Sequence, residues 1–212
     1  MTPEPGLKLR YMQSRDIPQV KFIDAASFIP PWPEHSYRFE ISESNVSYMV
    51  VLQKYGQRPM NRLRQIWHNI QSNGAKKPKQ KSFIAGYGGL WKIADEAHIS
   101  TVASHPEFRG QRFGEILLAG MMRRAISLGA AYLVLEVRVS NQIAQNLYLK
   151  YGFEVQGIKA RYYQNNDEDA YDMRLNLTPD AITEFEEQYR VLQQRLDFVD
   201  EFSHTLHPRL NR

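Results

Sequence analysis

One carboxylate, Glu136, stands inside an apolar run from Tyr132 to Val137 that otherwise has the composition of a buried strand. A charged side chain is costly to bury without a partner, so its presence there indicates a specific role. If Glu136 faces a cleft, it can take a proton from an attacking group, directly or through a water. We expect partial burial to raise its pKa and to make it a better base. The alternative is that Glu136 pairs with Arg138 or Arg161 and only stabilises the sheet.

A loop rich in glycine and arginine, "HPEFRGQRFGEILL", follows a predicted strand and leads directly into a predicted helix. Such a loop turns backbone N–H groups toward one point, where the helix N-terminus adds partial positive charge. Arg109 and Arg112 add further positive charge, and Gly110 and Gly114 allow a ligand to approach the backbone. By itself the pattern fits either a pyrophosphate site or a plain connection.

The elements around these residues alternate between strand and helix periodicity. Strands are predicted at 7–12, 46–53, from 82, at 96–105, 132–137, 153–158 and about 170–177, and helices from Asp16, near Glu34, and at 113–128 and 141–151. This order predicts an α/β fold built on one mixed sheet. Asn141 is expected to cap the helix that follows it.

Two segments extend this pattern. Between Lys54 and Lys81 the chain has eight basic residues and no acidic one. This segment therefore carries a charge of +8, and because the net charge of the chain is +4, the remaining residues sum to −4. The basicity is therefore local, which does not predict a direct nucleic-acid role, although the insertion could contact an acidic partner. Apolar spacing from Pro59 to Ser72 predicts a helix there.

The second extension begins at Thr178, a predicted N-cap, with Pro179 at the first helical position. Its apolar residues recur at coiled-coil spacing: Ile182, Phe185, Tyr189, Leu192, Leu196 and Val199. Two interpretations stay open, docking on its own domain or dimerisation, so the protein is a monomer or a homodimer. We expect one domain over 1–177, with a basic helical insertion at about 54–82, and a C-terminal helical extension over 178–212.

Composition excludes several classes of site. The chain has no cysteine, so disulfides, thiolate zinc sites and a cysteine nucleophile are excluded. His98, His105 and the other histidines show no metal-ligand spacing, so no metal site is predicted and no role is assigned to them. No apolar run approaches the roughly 20 residues of a membrane span, and the N-terminus lacks a signal-peptide pattern, so no membrane partner and a cytoplasmic protein are expected.

The segments "TVASHPEFRGQRFGEILL" and "LVLEVRVSNQIAQNLYLKYGF" together closely resemble the acetyl-CoA-dependent N-acetyltransferases of the GNAT superfamily. Within it the chain resembles the RimI type, which acetylates the N-terminal alanine of a small-subunit ribosomal protein. The resemblance covers about residues 7–177 and includes "ASFIPPW" and "ARYYQNNDEDAYDM". It implies a twisted mixed sheet whose fourth and fifth strands splay apart, with acetyl-CoA in the gap and a protein N-terminus as acceptor.

The resemblance also implies which residues bind the cofactor. The pantetheine arm would lie along the backbone of Val102, Ala103 and Ser104, with Asn141 nearby. The residues expected to hold the pyrophosphate follow one another in the loop: Gly110, Gln111, Arg112, Phe113, Gly114 and Glu115. Arg112 departs from the family, which has glycine there; we expect it to be compatible with the site if its φ is negative.

For catalysis, the resemblance implies Glu136 as general base and Tyr148 as the acid that protonates the departing thiolate. Tyr162, Tyr163 and Trp32 would line the acceptor site. Direct transfer in a ternary complex is expected, because no cysteine can carry the acetyl group. At pH 7 an α-amino group is roughly 10% neutral and a lysine amine about 0.04%, which favours an N-terminal acceptor.

Two other functions stay open. The first is a GNAT enzyme that acetylates a lysine side chain or a small-molecule amine, and the second is a non-catalytic acyl-CoA-binding module. The joint presence of Glu136, Asn141 and Tyr148 argues against the second.

Overall fold

The computed structural model describes residues 6–56 and 82–208. Its strands are β1 Leu7–Tyr11, β2 Ser47–Tyr55, β3 Ser82–Ile93, β4 Glu96–Ser104, β5 Tyr132–Arg138, β6 Glu154–Tyr163, β7 Glu168–Asn176 and β8 Phe198–Glu201. Its helices are α1 Ile17–Ala25, α2 Glu34–Ser42, α3 Phe113–Ser127, α4 Gln142–Lys150 and α5 Pro179–Leu196. The helix predicted at 59–72 lies outside the described residues.

The strands form one eight-stranded mixed sheet in the order β6-β7-β5-β4-β3-β2-β1-β8. Neighbouring strands are antiparallel except for the pairs β4–β5 and β1–β8, which are parallel. Helices α3, α4 and α5 contribute to the core on one face, and α1 and α2 cover the other face. The prediction of a mixed α/β sheet flanked by helices is confirmed.

Strands β4 and β5 diverge soon after they meet. Their pairing comprises three residue pairs, the last of which joins His98 to Val134. Beyond that point β4 continues to Ser104, where it still pairs with Gly86 of β3, while β5 continues separately to Arg138. The edge of β4 that follows His98 therefore faces a gap, which we call the cleft. The predicted splay of the fourth and fifth strands is confirmed.

Helix α3 sits unusually close to the sheet, and this positions its N-terminus at the end of β4. A Cβ atom on Gly120 would overlap the side chain of Leu9 in β1. Glycine at this position lets the helix backbone approach the strand directly. Ile116 and Leu117 of α3 are completely buried against the sheet.

Helix α5 begins as predicted, because Thr178 Oγ1 accepts a hydrogen bond from the Ala181 amide at 3.2 Å. Phe185, Tyr189 and Leu192 are buried in the same core as α3, so the structure shows the docked arrangement. This helix packing accounts for the apolar spacing without a second chain.

The expectation that the helical spacing continues to Val199 is wrong. Asp197 takes a left-handed conformation with φ +43°, which ends the helix after Leu196. Residues Phe198–Glu201 then pair in parallel with β1 and extend the sheet. The edge of β1 provides hydrogen-bond partners for the backbone of Phe198–Glu201, so these residues form a strand. The apolar spacing therefore does not indicate a helix beyond Leu196. The division of the chain at residue 178 stays a prediction.

Candidate active site

Glu136 lies on β5 at the mouth of the cleft, with two cationic or proton-donating neighbours. Its Oε2 is 2.8 Å from Nε2 of His98 on β4, and its Oε1 is 2.5 Å from Nζ of Lys159 on β6. The alternative partner Arg138 instead pairs with Glu168 at 2.7 Å. Glu136 is therefore bound by His98 from β4 on one side of the cleft and by Lys159 from β6 on the other. Neither partner is one of the two arginines proposed from the sequence.

These contacts reverse the expected pKa shift. The hydrogen bond from His98, reinforced by Lys159, outweighs burial and lowers the pKa of Glu136 to about 2. The expectation that burial would raise the pKa of Glu136 is wrong, because the side chain is buried together with its partners. Glu136 is ionised at neutral pH and accepts a proton reluctantly, so it acts best as a fixed negative charge.

The lowered pKa predicts how Glu136 contributes to stability. A carboxyl with a lowered folded-state pKa stabilises the fold above its ordinary pKa of 4.5 and loses that contribution as the pH falls toward 2. Because the side chain is only 12% exposed, the contribution can reach on the order of 3 kcal/mol. In urea unfolding, we expect the stability difference between wild type and Glu136→Gln to shrink by up to this amount between pH 6 and pH 2. Parallel pH curves for the two proteins would contradict this prediction.

An aromatic wall adjoins His98. The His98 ring lies edge-on to Trp91 of β3, with centroids 5.5 Å apart. Trp91 in turn stacks on Trp32, at 6.4 Å and an interplanar angle of 17°, and donates from Nε1 to Glu40 at 3.1 Å. The structure thus brings Trp32 to the cleft through Trp91, a residue that the sequence analysis missed.

The segment between α1 and α2 is held by a buried acid. Asp24 is 1% exposed, and its carboxylate accepts a hydrogen bond from the Trp32 amide at 2.6 Å. The same carboxylate accepts from the hydroxyl of Tyr87 on β3, which lies 3.4 Å from the hydroxyl of Tyr37 on α2. This network fixes the position of Trp32 relative to the sheet.

The two predicted acceptor-site tyrosines lie at the end of β6. Tyr162 and Tyr163 meet edge-on, with centroids 5.2 Å apart, and the Arg138 guanidinium lies 3.7 Å from the centre of the Tyr163 ring. Burial, with a further contribution from the neighbouring Glu136 charge, raises the pKa of Tyr162. Tyr162 is therefore part of the same electrostatic cluster as Glu136.

Tyr148 and Asn141 occupy α4 and its cap. The Tyr148 side chain is almost fully buried, 5.9 Å from the Phe153 ring, and burial raises its pKa, so its hydroxyl keeps its proton at neutral pH. Asn141 Oδ1 accepts a hydrogen bond from the Ala144 amide at 3.2 Å, which confirms the predicted cap.

The loop between β4 and α3 has two left-handed residues, Gly110 with φ +78° and Arg112 with φ +61°. The condition of a negative φ, on which the compatibility of Arg112 with the site was predicted, is not met. Arg112 is the N-cap of α3, and the turn into the helix there needs the conformation that glycine adopts most easily. A side chain in this region costs roughly 1–2 kcal/mol.

The first turn of α3 still presents backbone N–H groups that have no partner within the helix. The Glu115 carboxylate is engaged with Arg112 at 3.2 Å, with Lys150 and with the Tyr151 hydroxyl at 3.1 Å. Its side chain is thus turned to α4, and its amide donates to the Arg112 carbonyl at 3.1 Å. Arg109 ties the loop to the end of α1 by donating to Ala26 O at 3.1 Å.

The structure brings together most of the predicted site residues. Val102, Ala103 and Ser104 lie on the edge of β4 that faces the cleft, and the loop follows them. Glu136, Tyr162 and Trp32 border the mouth of the cleft.

The sequence analysis missed four residues of this region: His98, Trp91, Lys159 and Asp24. His98 had a detectable signal, since it is a polar residue on a predicted strand, but its pairing with Glu136 depends on strand register.

Within residues 6–56 and 82–208, no group of three or more His, Cys, Asp or Glu side chains is arranged to hold a metal ion. No helix in the same residues has the length and apolarity needed to cross a membrane.

Comparison with known proteins places this geometry among acetyltransferases. The model of the acetyltransferase (GNAT) family matches residues 23–153. The chain is 35% identical over 165 residues to the putative ribosomal protein bS18-alanine N-acetyltransferase of Bacillus subtilis (strain 168), covering 78% of this chain and 92% of the relative. The crystal structure of the ribosomal-protein-S18-alanine N-acetyltransferase from Escherichia coli superposes with a TM-score of 0.61 at 24% identity, covering 81% and 94% of the two chains. A chain from the crystal structure of the NatC complex bound to Gag peptide and CoA superposes with a TM-score of 0.59 at 19% sequence identity. The match covers 81% of this chain and 99% of that chain.

Proposed function

The chain belongs to the acetyltransferase (GNAT) family, and from that premise we propose that it transfers the acetyl group of acetyl-CoA to the N-terminal α-amino group of a protein. The observation that carries the proposal is the His98–Glu136 pair at the point where β4 and β5 separate. The relative from Bacillus subtilis is named as an alanine N-acetyltransferase of ribosomal protein bS18, so an N-terminal alanine is the first acceptor to test.

The described residues fit acetyl-CoA as the co-substrate. Beyond His98, the edge of β4 offers backbone groups at Val102–Ser104 to an extended pantetheine arm, as an added strand would use them. The loop from Gly110 to Glu115 offers the N–H groups at the N-terminus of α3 to the pyrophosphate. Arg112 adds positive charge, and Asn141 lies at the start of α4. When bound there, acetyl-CoA supplies an activated acetyl thioester.

We assign the general-base role to His98 and a positioning role to Glu136. With a pKa of about 2, Glu136 keeps its charge but takes a proton from an amine poorly. Histidine is the side chain that most often serves as a general base. Nε2 of His98 is held by the Glu136 carboxylate at 2.8 Å, so Nδ1 is the nitrogen assigned to take the proton. Glu136 would bind the incoming ammonium and stabilise the imidazolium that forms, as the acid does in a Ser-His-Asp triad.

Tyr148 is proposed to protonate the departing thiolate. Its raised pKa keeps the hydroxyl protonated, which a proton donor requires. A thiolate leaves tolerably well without help, because thiols have a pKa near 8.5. We therefore expect Tyr148→Phe to lower kcat by about tenfold without abolishing the reaction, in steady-state assays of acetyl transfer. An unchanged kcat would exclude Tyr148 as the acid.

The acceptor site is proposed to lie between Trp32 on one side and Tyr162 and Tyr163 on the other. The alternative acceptor is a lysine side chain or a small amine, which could react with acetyl-CoA in the same cleft after loss of one proton.

The experiment that tests the acceptor uses acetyl-CoA with peptides that share one sequence but begin with Ala, Ser, Met or Leu. Companion peptides have a blocked N-terminus and one internal lysine. Acetylation of the blocked peptides alone would reject the N-terminal acceptor.

Several finer points are proposals that rest on the sequence. These are a GNAT domain over 1–177 with an extension over 178–212, contact of the basic insertion at about 54–82 with an acidic partner, and action in the cytoplasm. Docking of α5 on its own sheet supports a monomer, and size measurement in solution tests it.

A further inference from the structure

A primary amine of the chain itself occupies the mouth of the cleft. Lys159 Nζ lies 2.5 Å from Glu136 Oε1 and 3.5 Å from Asp172 Oδ1, with the Tyr162 ring centre 5.8 Å away. The Lys159 side chain is 41% exposed, so it can leave this position and return. Lys159 lies on β6, 23 residues after Glu136 in the chain, and the fold of the sheet brings the two side chains together.

The position of this amine is the one that the proposed mechanism gives to the acceptor. Glu136 binds Lys159 through one carboxylate oxygen and His98 through the other. An incoming α-ammonium group would have to replace Lys159 at Oε1 to reach the same carboxylate. Lys159 therefore stands where an acceptor amine is expected, on the opposite oxygen of the carboxylate that holds the proposed base.

We propose that Lys159 is a site of self-acetylation, at which the chain transfers an acetyl group from acetyl-CoA to its own Nζ when no acceptor is bound. This inference rests on the proposed function of the cleft. The ammonium first loses one proton through His98, and the Nζ lone pair forms a bond to the acetyl carbonyl carbon. The carbon–sulfur bond breaks and CoA leaves with a proton as the thiol. The products are a neutral N-acetyl-lysine, CoA and one released proton.

The reaction should be slow near neutral pH and should accelerate with pH. Burial acts to lower the pKa of Lys159, but the hydrogen bond and charge of Glu136, with the charge of Asp172, outweigh it and raise the pKa. Because the neutral fraction of such an amine is far below one per cent at pH 7, the rate should rise about tenfold per pH unit. An α-amino acceptor with a pKa near 8 should instead level off above pH 8.

The chain has an internal control for this modification. Lys21 on α1 is 44% exposed and is also paired with a glutamate, but that partner is Glu34, at 3.1 Å, and not Glu136. Chemical acetylation in solution, without catalysis, should label Lys159 no faster than Lys21, because the raised pKa of Lys159 lowers its neutral fraction. A difference between the two therefore measures the contribution of the cleft.

The test incubates the full chain with acetyl-CoA in the absence of peptide, at pH 7.5 and 8.5, and follows each lysine by peptide mass spectrometry. We expect Lys159 to be acetylated at least ten times faster than Lys21, at a rate that does not depend on protein concentration. In His98→Ala, labelling of Lys159 should fall to the level of Lys21. Equal labelling of the two lysines in wild type, or a rate that rises with protein concentration, would overturn the inference.

Failure of this inference can be separated from failure of the proposed function. If peptides are acetylated at their α-amine while Lys159 stays at the level of Lys21, self-acetylation is wrong and the enzymatic proposal stands. If neither peptides nor Lys159 react, the enzymatic proposal itself fails. Lys159→Arg, which keeps the positive charge beside Glu136, should remove the label at this position and leave labelling of Lys21 unchanged.

Discussion

Replacement of His98 by alanine is expected to lower kcat about 100- to 1000-fold, which lies within the roughly 10²- to 10⁴-fold contribution of a general base. The imidazole is hydrogen-bonded to Glu136 and adjoins the part of β4 that faces the cleft. Affinity for CoA should change little, because the proposed cofactor contacts lie further along β4 and in the loop. The measurement is kcat with a peptide acceptor, together with CoA binding by calorimetry.

Glu136→Gln provides the matched comparison, because it removes the charge and keeps the shape. If Glu136 only orients His98, this change should lower kcat by roughly 10- to 100-fold, less than His98→Ala. The double variant should be no slower than His98→Ala alone, since residues that act as a unit are not additive. A larger loss in Glu136→Gln than in His98→Ala would identify Glu136 as the base and reject the assignment of His98.

The second large effect is expected at Asp24. Asp24→Ala removes the acceptor for the Trp32 amide and for the Tyr87 hydroxyl, both in a buried setting. Buried hydrogen bonds to a charged group are worth about 1.5–3 kcal/mol, and the orphaned donors add a desolvation cost. We expect the free energy of unfolding to fall by about 3 kcal/mol in urea titrations.

Asp24→Ala should also act on the acceptor side of the cleft and not on the cofactor side. Because Asp24 fixes Trp32 against Trp91, its loss should raise KM for the peptide about tenfold or more while KM for acetyl-CoA changes little. Tyr87→Phe is the control, since it removes one hydrogen bond and leaves Trp32 held; its unfolding free energy should fall by about 1 kcal/mol. Equal effects of the two variants on peptide KM would contradict the role assigned to Asp24.

Features that depend on a few neighbouring residues could be predicted from the sequence. The caps at Asn141 and Thr178 are confirmed, because a capping side chain bonds to an amide three residues away. The helix from Phe113, the glycine-containing loop before it and the order of strands and helices follow from local periodicity and turn chemistry. Glu136 was identified because a lone acid in an apolar strand is itself a local signal.

The structure departs from the sequence-based expectations where the assembled fold overrides a local pattern. The apolar spacing of α5 runs on to Val199, but the chain beyond Asp197 pairs with β1, near the opposite end of the sequence. At Arg112, the turn into α3 imposes a left-handed backbone on a residue type that seldom adopts it. Both outcomes depend on how the sheet and helix are assembled.

The chemistry of the cleft was decided by the tertiary structure. Glu136 meets His98 from 38 residues away and Lys159 from 23 residues away, and these contacts depress a pKa that burial alone would raise. By itself the sequence determined that an acid would interrupt a buried strand, that a glycine loop would open a helix, and that strands and helices would alternate around them. Strand order and register determined which groups face that acid, because the free energy of pairing depends on residues that are distant in the chain and adjacent only after folding.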